Sequence, residues 1–251
     1  MSIETLLTKY RLKPGNTKKI QLGKLCIQIK REEQGWYIHS YDIDDENGNS
    51  VKGEFYQTGT SDTLILAPAL QAKPIVIKGS GLIVSPAQKL NFFIKVPLVI
   101  QVYYASKKIE NLLKEIPYTR LSDTWFGEPD NGEPAYAVSS EYSLTIEDLK
   151  TEDFEVICPI NVVNNSDKPL ELQRLIIRVE TLSLFLNNEK IISSLVKIEY
   201  KGKDSISEAT TSSSKLLHGE KQQILAKPRI DEQHSSLKIN FHFIRNIYKN
   251  M

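Results

Sequence analysis

Hydrophobic and polar positions alternate along most of this chain, as they do in half-buried β-strands. The clearest case spans residues 154–163, where one face carries Phe154, Val156, Cys158, Ile160 and Val162. Other short segments of the same character are separated by Pro and Gly residues, a rhythm typical of antiparallel sandwiches and barrels. The pattern predicts an all-β protein.

The predicted strands are short and have turn residues at both ends. They cover residues 20–29, 36–43, 63–67, 74–78, 82–84, 90–96, 98–104, 154–163, 170–179, 182–186, 191–200, 222–226 and 237–248. A change of parity at Gly23-Lys24 predicts a bulge in the first strand, and Glu33-Gln34-Gly35 predicts a hairpin turn into the second. Helical spacing predicts a short helix over 3–10 and one or two helical turns over 109–115.

This organisation predicts two β-sandwich-like halves: an N-terminal β domain over residues 1–108, an acidic aromatic connector over 109–150, and a C-terminal sandwich over 151–251. Residues 159–170 place a turn rich in Asn, Ser, Asp and Pro between two strands. This segment resembles the opening strand pair of immunoglobulin-like sandwiches. The likeness predicts an immunoglobulin-like C-terminal half, and it concerns fold alone.

Composition is that of a soluble globular protein, with 40% hydrophobic and 25% charged residues and a mean hydropathy of −0.31. Residues 1–11 contain no apolar region of a signal peptide, since Glu4 and Lys9 interrupt it. The longest apolar run, over residues 92–104, is interrupted and too short to cross a bilayer. The sequence therefore predicts a cytoplasmic protein without a transmembrane segment.

Residue types that mark common catalytic and cofactor sites lack the spacing those sites need. Cys26 and Cys158 lie among alternating apolar positions and are predicted to be buried core thiols. The four histidines form no HxxxH or HxH pair, and no glycine-rich phosphate loop is present. Basic residues form only short doublets, not a stripe with stacking aromatics. We therefore predict no cofactor, no metal site and no nucleic-acid partner.

Charge is unevenly distributed, although the net charge is only +1. Residues 1–110 hold 15 Lys/Arg and 10 Asp/Glu, residues 111–155 hold 3 and 11, and residues 156–251 hold 14 and 10. An acidic segment between two basic ones is typical of a solvated charged loop, of self-complementarity, or of a site for a cation or a basic partner.

The acidic segment includes Leu121–Tyr136, which concentrates aromatic, Gly, Pro and carboxylate residues, a composition that surface loops use for binding. Its binding candidates are Asp123, Trp125, Phe126, Glu128, Asp130 and Tyr136. If Trp125 and Phe126 are buried, they anchor the segment between the two domains; if they are exposed, they form a patch typical of interfaces. The carboxylates, with Glu133, are also numerous enough for glycoside hydrolysis or for binding a cation or sugar.

The stretch Leu121-Ser-Asp-Thr-Trp-Phe-Gly-Glu-Pro129, followed by Cys158–Ser166 and Arg174–Glu180, resembles a family of archaeal proteins classed as a domain of unknown function. The resemblance covers most of the chain, and the Trp-Phe-Gly-Glu-Pro segment is its most distinctive part. It implies an archaeal, cytoplasmic setting and no particular activity.

The function predicted from the sequence is a non-enzymatic interaction module that uses the connector to bind a protein partner. Two alternatives stay open. One is a carbohydrate-active or metal-dependent enzyme that uses Asp123, Glu128 or Asp130. The other is assembly of the chain with itself through open sheet edges.

Overall fold

The computed structural model describes residues 6, 8–45, 53–106, 109–138, 142–151, 154–187, 190–202, 208–212 and 223–230. Within these residues the regular elements are strands, apart from a 3-10 turn at Val179–Thr181. The predicted all-β class is therefore confirmed. Of the predicted helix over 3–10, residues 3–5 and 7 lie outside the described residues, and Lys9 and Tyr10 belong to a strand instead of a helix. The predicted strand over 237–248 lies entirely outside the described residues. No helix formed by the described residues is long and apolar enough to cross a membrane.

The chain divides into two compact units, each assembled from separated segments. Unit 1 comprises residues 1–69, 97–119 and 152–154, and unit 2 comprises residues 70–96, 120–151 and 155–251. The domain boundaries at 108/109 and 150/151 stay a prediction.

Unit 1 contains two four-stranded antiparallel sheets. Sheet 1 has the order β1-β6-β9-β10, formed by Lys9–Arg11, Thr63–Ala69, Val99–Ser106 and Ile109–Pro117. Sheet 2 has the order β2-β3-β4-β5, formed by Thr17–Leu22, Leu25–Glu32, Gly35–Asp42 and Glu54–Gln57. One face of sheet 2 is buried because alternate positions are apolar, and this face carries Ile20, Leu22, Leu25, Ile27, Ile29, Trp36 and Ile38.

Sheet 2 departs from the predicted single strand over residues 20–29. Gly23 and Lys24 form the turn of a hairpin, with Leu22 paired to Leu25, instead of a bulge. Gly23 has a φ of +55°, a conformation that glycine adopts without strain. The shift in the alternation of apolar residues therefore reflects a hairpin turn, not a bulge. The predicted turn at residues 33–35 is confirmed, since Glu32 pairs with Gly35.

The predicted helical turns over 109–115 are wrong, because this segment is strand β10, paired with β9. The register shifts between Leu112, which pairs with Tyr103, and Lys114, which pairs with Val102. The extra residue, Leu113, changes the parity of the strand. The apolar positions 109, 112, 113 and 116 therefore have helix-like spacing within a bulged strand.

Unit 2 contains a mixed four-stranded sheet and a seven-stranded sheet. Sheet 3 has the order β11-β12-β7-β14, formed by Ser122–Phe126, Glu133–Val138, Ile75–Val84 and Leu170–Ile177; the β12–β7 pair is parallel and the others are antiparallel. Sheet 4 comprises β8, β13, β15, β16, β17, β18 and β19, formed by Lys89–Pro97, Glu155–Asn164, Leu184–Asn187, Lys190–Ser193, Leu195–Tyr200, Glu208–Ser212 and Gln223–Ala226.

Strand β13 is central in sheet 4, because it pairs with β8 and, in parallel, with β16 and β17. The turn predicted after it is present: the Asn164 side-chain amide donates hydrogen bonds to the carbonyls of Val84 and Lys168, each at 2.8 Å. Beyond the turn the chain enters β14, which belongs to sheet 3. The immunoglobulin-like description of this region stays a prediction. Cys26 and Cys158 are both buried, as predicted.

Candidate functional site

The stretch predicted as a connector contains a β-hairpin of unit 2, in which β11 pairs with β12. Asp123 lies opposite Tyr136, and Trp125 lies opposite Pro134. Successive side chains of a strand point to opposite sides, whereas directly opposite residues share a side. Asp123, Trp125, Pro134 and Tyr136 therefore share one face of the hairpin, which we call the Trp125 face.

The other face of the hairpin packs through Phe126 against β7 and β14 of the same sheet. Its ring is buried in a cluster with Val76, Ala135 and Ile176. The Arg174 guanidinium lies over this ring, 5.5 Å from its centroid, and donates a 3.0 Å hydrogen bond to the carbonyl of Trp125. Phe126 thus has the anchoring role expected of a buried aromatic, and Arg174 ties the backbone of β11 to β14.

The hairpin turn is organised around one carbonyl group, that of Glu128. This oxygen accepts hydrogen bonds from the backbone N–H groups of Asn131 and Gly132, at 3.2 and 2.7 Å, and from Nε1 of Trp125 at 3.1 Å. Gly127 enters the turn with a φ of +110°, which glycine adopts without strain. The turn therefore fixes the Trp125 indole as well as the backbone.

Trp125 combines exposure with a fixed position. The residue is 46% exposed, yet its indole hydrogen bonds to the turn and lies so close to Gly132 that a Cβ there would overlap it. Trp125 and Phe126 are neighbours in the sequence but differ in burial, because adjacent residues of a strand point to opposite faces.

A lysine links the two remaining candidates on the Trp125 face. Lys73 Nζ lies 3.0 Å from Asp123 Oδ1 and 4.9 Å from the centroid of the Tyr136 ring. The hydrogen bond to Asp123 raises the pKa of Lys73. The ion pair is solvent-exposed, so it contributes little to stability and mainly orients the two side chains. The face therefore presents aromatic surface next to a neutralised charge pair.

The structure brings all six predicted residues into one hairpin but gives them different surroundings. Asp123, Glu128 and Asp130 are exposed, Tyr136 is half-buried and Phe126 is buried. No three or more His, Cys, Asp or Glu residues among those described are grouped so that they could hold a metal ion.

A second charged cluster was not found from the sequence, although it contains Glu133 of the hairpin. Arg178 contacts Glu133 Oε1 at 2.6 Å and Glu180 Oε1 at 3.6 Å. Burial raises the pKa of Glu180, opposed by attraction to Arg178 and reinforced by repulsion from Glu133. The only sequence signal is the charged pair Arg178 and Glu180 that ends an apolar strand. The third member, Glu133 of β12, is brought to Arg178 only by the pairing of distant strands.

Comparison with known proteins adds family membership. No curated protein and no solved structure matches the chain. A family model described as a protein of unknown function, DUF432, matches residues 7–245. The chain therefore belongs to the DUF432 family, which agrees with the resemblance to a domain of unknown function.

Proposed function

We propose that this protein is a non-enzymatic interaction module that binds a protein partner through the Trp125 face. The observation that carries the proposal is the exposed Trp125 indole, fixed by its hydrogen bond to the Glu128 carbonyl. A tryptophan that is already ordered loses little conformational entropy on binding, and Trp and Tyr dominate the energetics of protein interfaces.

The neighbouring residues support a protein partner. Pro134 lies directly opposite Trp125, and Tyr136 lies diagonally from it, within reach of large side chains. The Lys73–Asp123 ion pair satisfies both charges at the margin of this surface. A central aromatic anchor with a polar margin is the usual arrangement of a binding hot spot.

The enzymatic alternative has less support from the same residues. Glycoside hydrolysis needs two carboxyl groups at a set separation across a substrate, one of them protected so that it stays protonated. Asp123, Glu128 and Asp130 are exposed, and Asp123 is ion-paired with Lys73.

The test is a quantitative pull-down from lysate of the source organism. The baits are the wild type, a folded Trp125→Ala/Glu128→Ala variant, and Ile83→Ser as a control at an exposed apolar residue of β7. We expect a partner that the wild type and the control retain and the double variant loses. With the purified partner, Trp125→Ala should weaken binding about 30-fold, as measured by calorimetry.

Two outcomes would contradict the proposal. One is recovery of the same proteins by all three baits. The other is reproducible turnover of a glycoside by the wild type that disappears in Glu128→Gln, which would favour the enzymatic alternative.

A further inference from the structure

The solvent face of sheet 2, in unit 1, carries aromatic side chains on two neighbouring strands. Tyr37, His39 and Tyr41 occupy alternate positions of β4, and Phe55 of β5 lies directly opposite Tyr37. Tyr37 and Phe55 are 42% and 46% exposed, in contrast to Trp36, which is buried on the opposite face. Four rings therefore share one side of the sheet.

The rings form two adjacent pairs. The centroids of Tyr37 and Phe55 are 5.0 Å apart, and those of His39 and Tyr41 are 5.1 Å apart. Along β4, alternate residues repeat about every 7 Å. The result is a row of planar groups along β4, widened by Phe55 at one end.

Strands β2 and β3 extend this face with basic and amide side chains. Lys30 lies opposite Tyr37, Gln28 lies opposite His39, and Lys19 lies opposite Gln28 in turn. The only carboxylate among the described side chains that share this face is Glu32, which forms a 2.6 Å ion pair with Lys30 at the end of β3. The face is thus aromatic on one half and polar on the other, where Lys19, Lys30 and Glu32 give a net charge of +1.

We infer that this face is a binding site for single-stranded nucleic acid. Unpaired bases present flat surfaces that stack on aromatic rings, and phosphates attract lysines beside them. Gln28 lies between Lys19 and His39, where its amide can hydrogen bond to base edges. A neutral polysaccharide would use the rings but not the lysines, and a duplex offers no exposed base faces along its length.

The residues of this face are separated in the sequence, so the face is not apparent from the sequence alone. Its lysines lie on β2 and β3 and its rings on β4 and β5, so sheet pairing is needed to place a cation beside an aromatic side chain. The prediction of no nucleic-acid partner rested on the absence of a basic stripe in the linear sequence. The inference does not depend on the Trp125 face, which lies in unit 2.

The test uses the full chain and fluorescein-labelled oligothymidylate and oligouridylate, with binding followed by fluorescence anisotropy. Tyr37→Ala/Phe55→Ala should weaken binding about tenfold or more through loss of stacking. Lys19→Gln/Lys30→Gln should weaken binding and make its salt dependence shallower. Leu112→Ala is the matched control, because Leu112 of β10 is also 46% exposed, and it should bind like the wild type.

Tyr37→Leu/Phe55→Leu separates stacking from general apolar contact and replaces the alanine variant if that protein does not fold. Its binding should also weaken about tenfold or more. The inference is overturned if the leucine variant binds like the wild type, if a duplex or dextran sulfate binds as tightly as the single strands, or if the wild type does not bind the oligonucleotides.

Discussion

Gly132 is the residue on which the geometry of the Trp125 face depends most directly. A Cβ at this position would overlap Nε1 of Trp125 and approach the carbonyl of Phe126. We expect Gly132→Ala to lower the free energy of unfolding by about 1–3 kcal/mol, as overpacking does. It should also change the emission of Trp125. Chemical denaturation and fluorescence spectra measure both effects. Exposed Asn131→Ala is the control, and unchanged stability and emission in Gly132→Ala would contradict the prediction.

Glu180 gives a second prediction at the residue scale, concerning pH. Burial raises the pKa of its carboxyl above the ordinary value of 4.5, so the folded state binds this proton more tightly than the unfolded state. The group's contribution to the free energy of unfolding therefore falls as pH rises from about 4.5 to the folded pKa, and is constant above it.

Glu180→Gln should remove this dependence. The free energy of unfolding of the variant, minus that of the wild type, should increase with pH through that window, as measured by urea titrations at several pH values. Arg178 and Glu133 are the charged side chains that face Glu180. Glu171→Gln, at an exposed position of β14, is the control, and parallel stability curves for wild type and Glu180→Gln would disprove the prediction.

At the scale of the element, the hairpin β11–β12 gives adjacent aromatic residues opposite roles. Phe126→Ala should lower the free energy of unfolding by about 3 kcal/mol, because it leaves a cavity between Val76, Ala135 and Ile176. Trp125→Ala should change it by less than about 1 kcal/mol, because Trp125 is 46% exposed and is not part of this buried cluster. Denaturant titrations of both variants test this difference, and equal losses would mean that Trp125 is also part of the core.

The elements also show where prediction from the sequence succeeds. The strand character of residues 154–163 was predictable because one face is apolar at every second position, and the turn at Glu33–Gly35 because its residues suit a hairpin. Strand β10 was not, because the extra residue Leu113 gives its apolar positions helix-like spacing. The composition of the hairpin identified a candidate site, but the opposite burial of Trp125 and Phe126 follows only once β11 is known to be a strand.

At the scale of the whole molecule, the arrangement of the chain was the least predictable feature. Strand β7 pairs with β12 and β14, about 60 and 90 residues later in the sequence. The composition of the chain cannot reveal such pairings, because the pattern of apolar residues in a strand does not identify the strand with which it pairs. The same limit applies to Glu180, whose Arg178 partner also binds Glu133 from β12.

This topology predicts slow folding. Pairs such as Lys9 with Ile65 and Tyr136 with Ile75 join residues far apart in the sequence. Forming them costs the conformational entropy of closing a long loop before the strand contacts can compensate. We expect refolding over milliseconds to seconds or longer, as in other β proteins with non-local pairing. Stopped-flow fluorescence after dilution from denaturant measures the rate, and complete refolding within microseconds would contradict the expectation.

The burial of both cysteines makes the native chain unreactive towards thiol reagents. Cys26 and Cys158 are shielded from solvent, and burial also raises the pKa of Cys158 to about 12, which suppresses the thiolate. A colourimetric disulfide reagent should therefore modify neither thiol in the folded protein and both in denaturant. A cysteine introduced at exposed Asp130 can then carry a fluorophore or a spin label as the sole reactive position, with both native cysteines left in place.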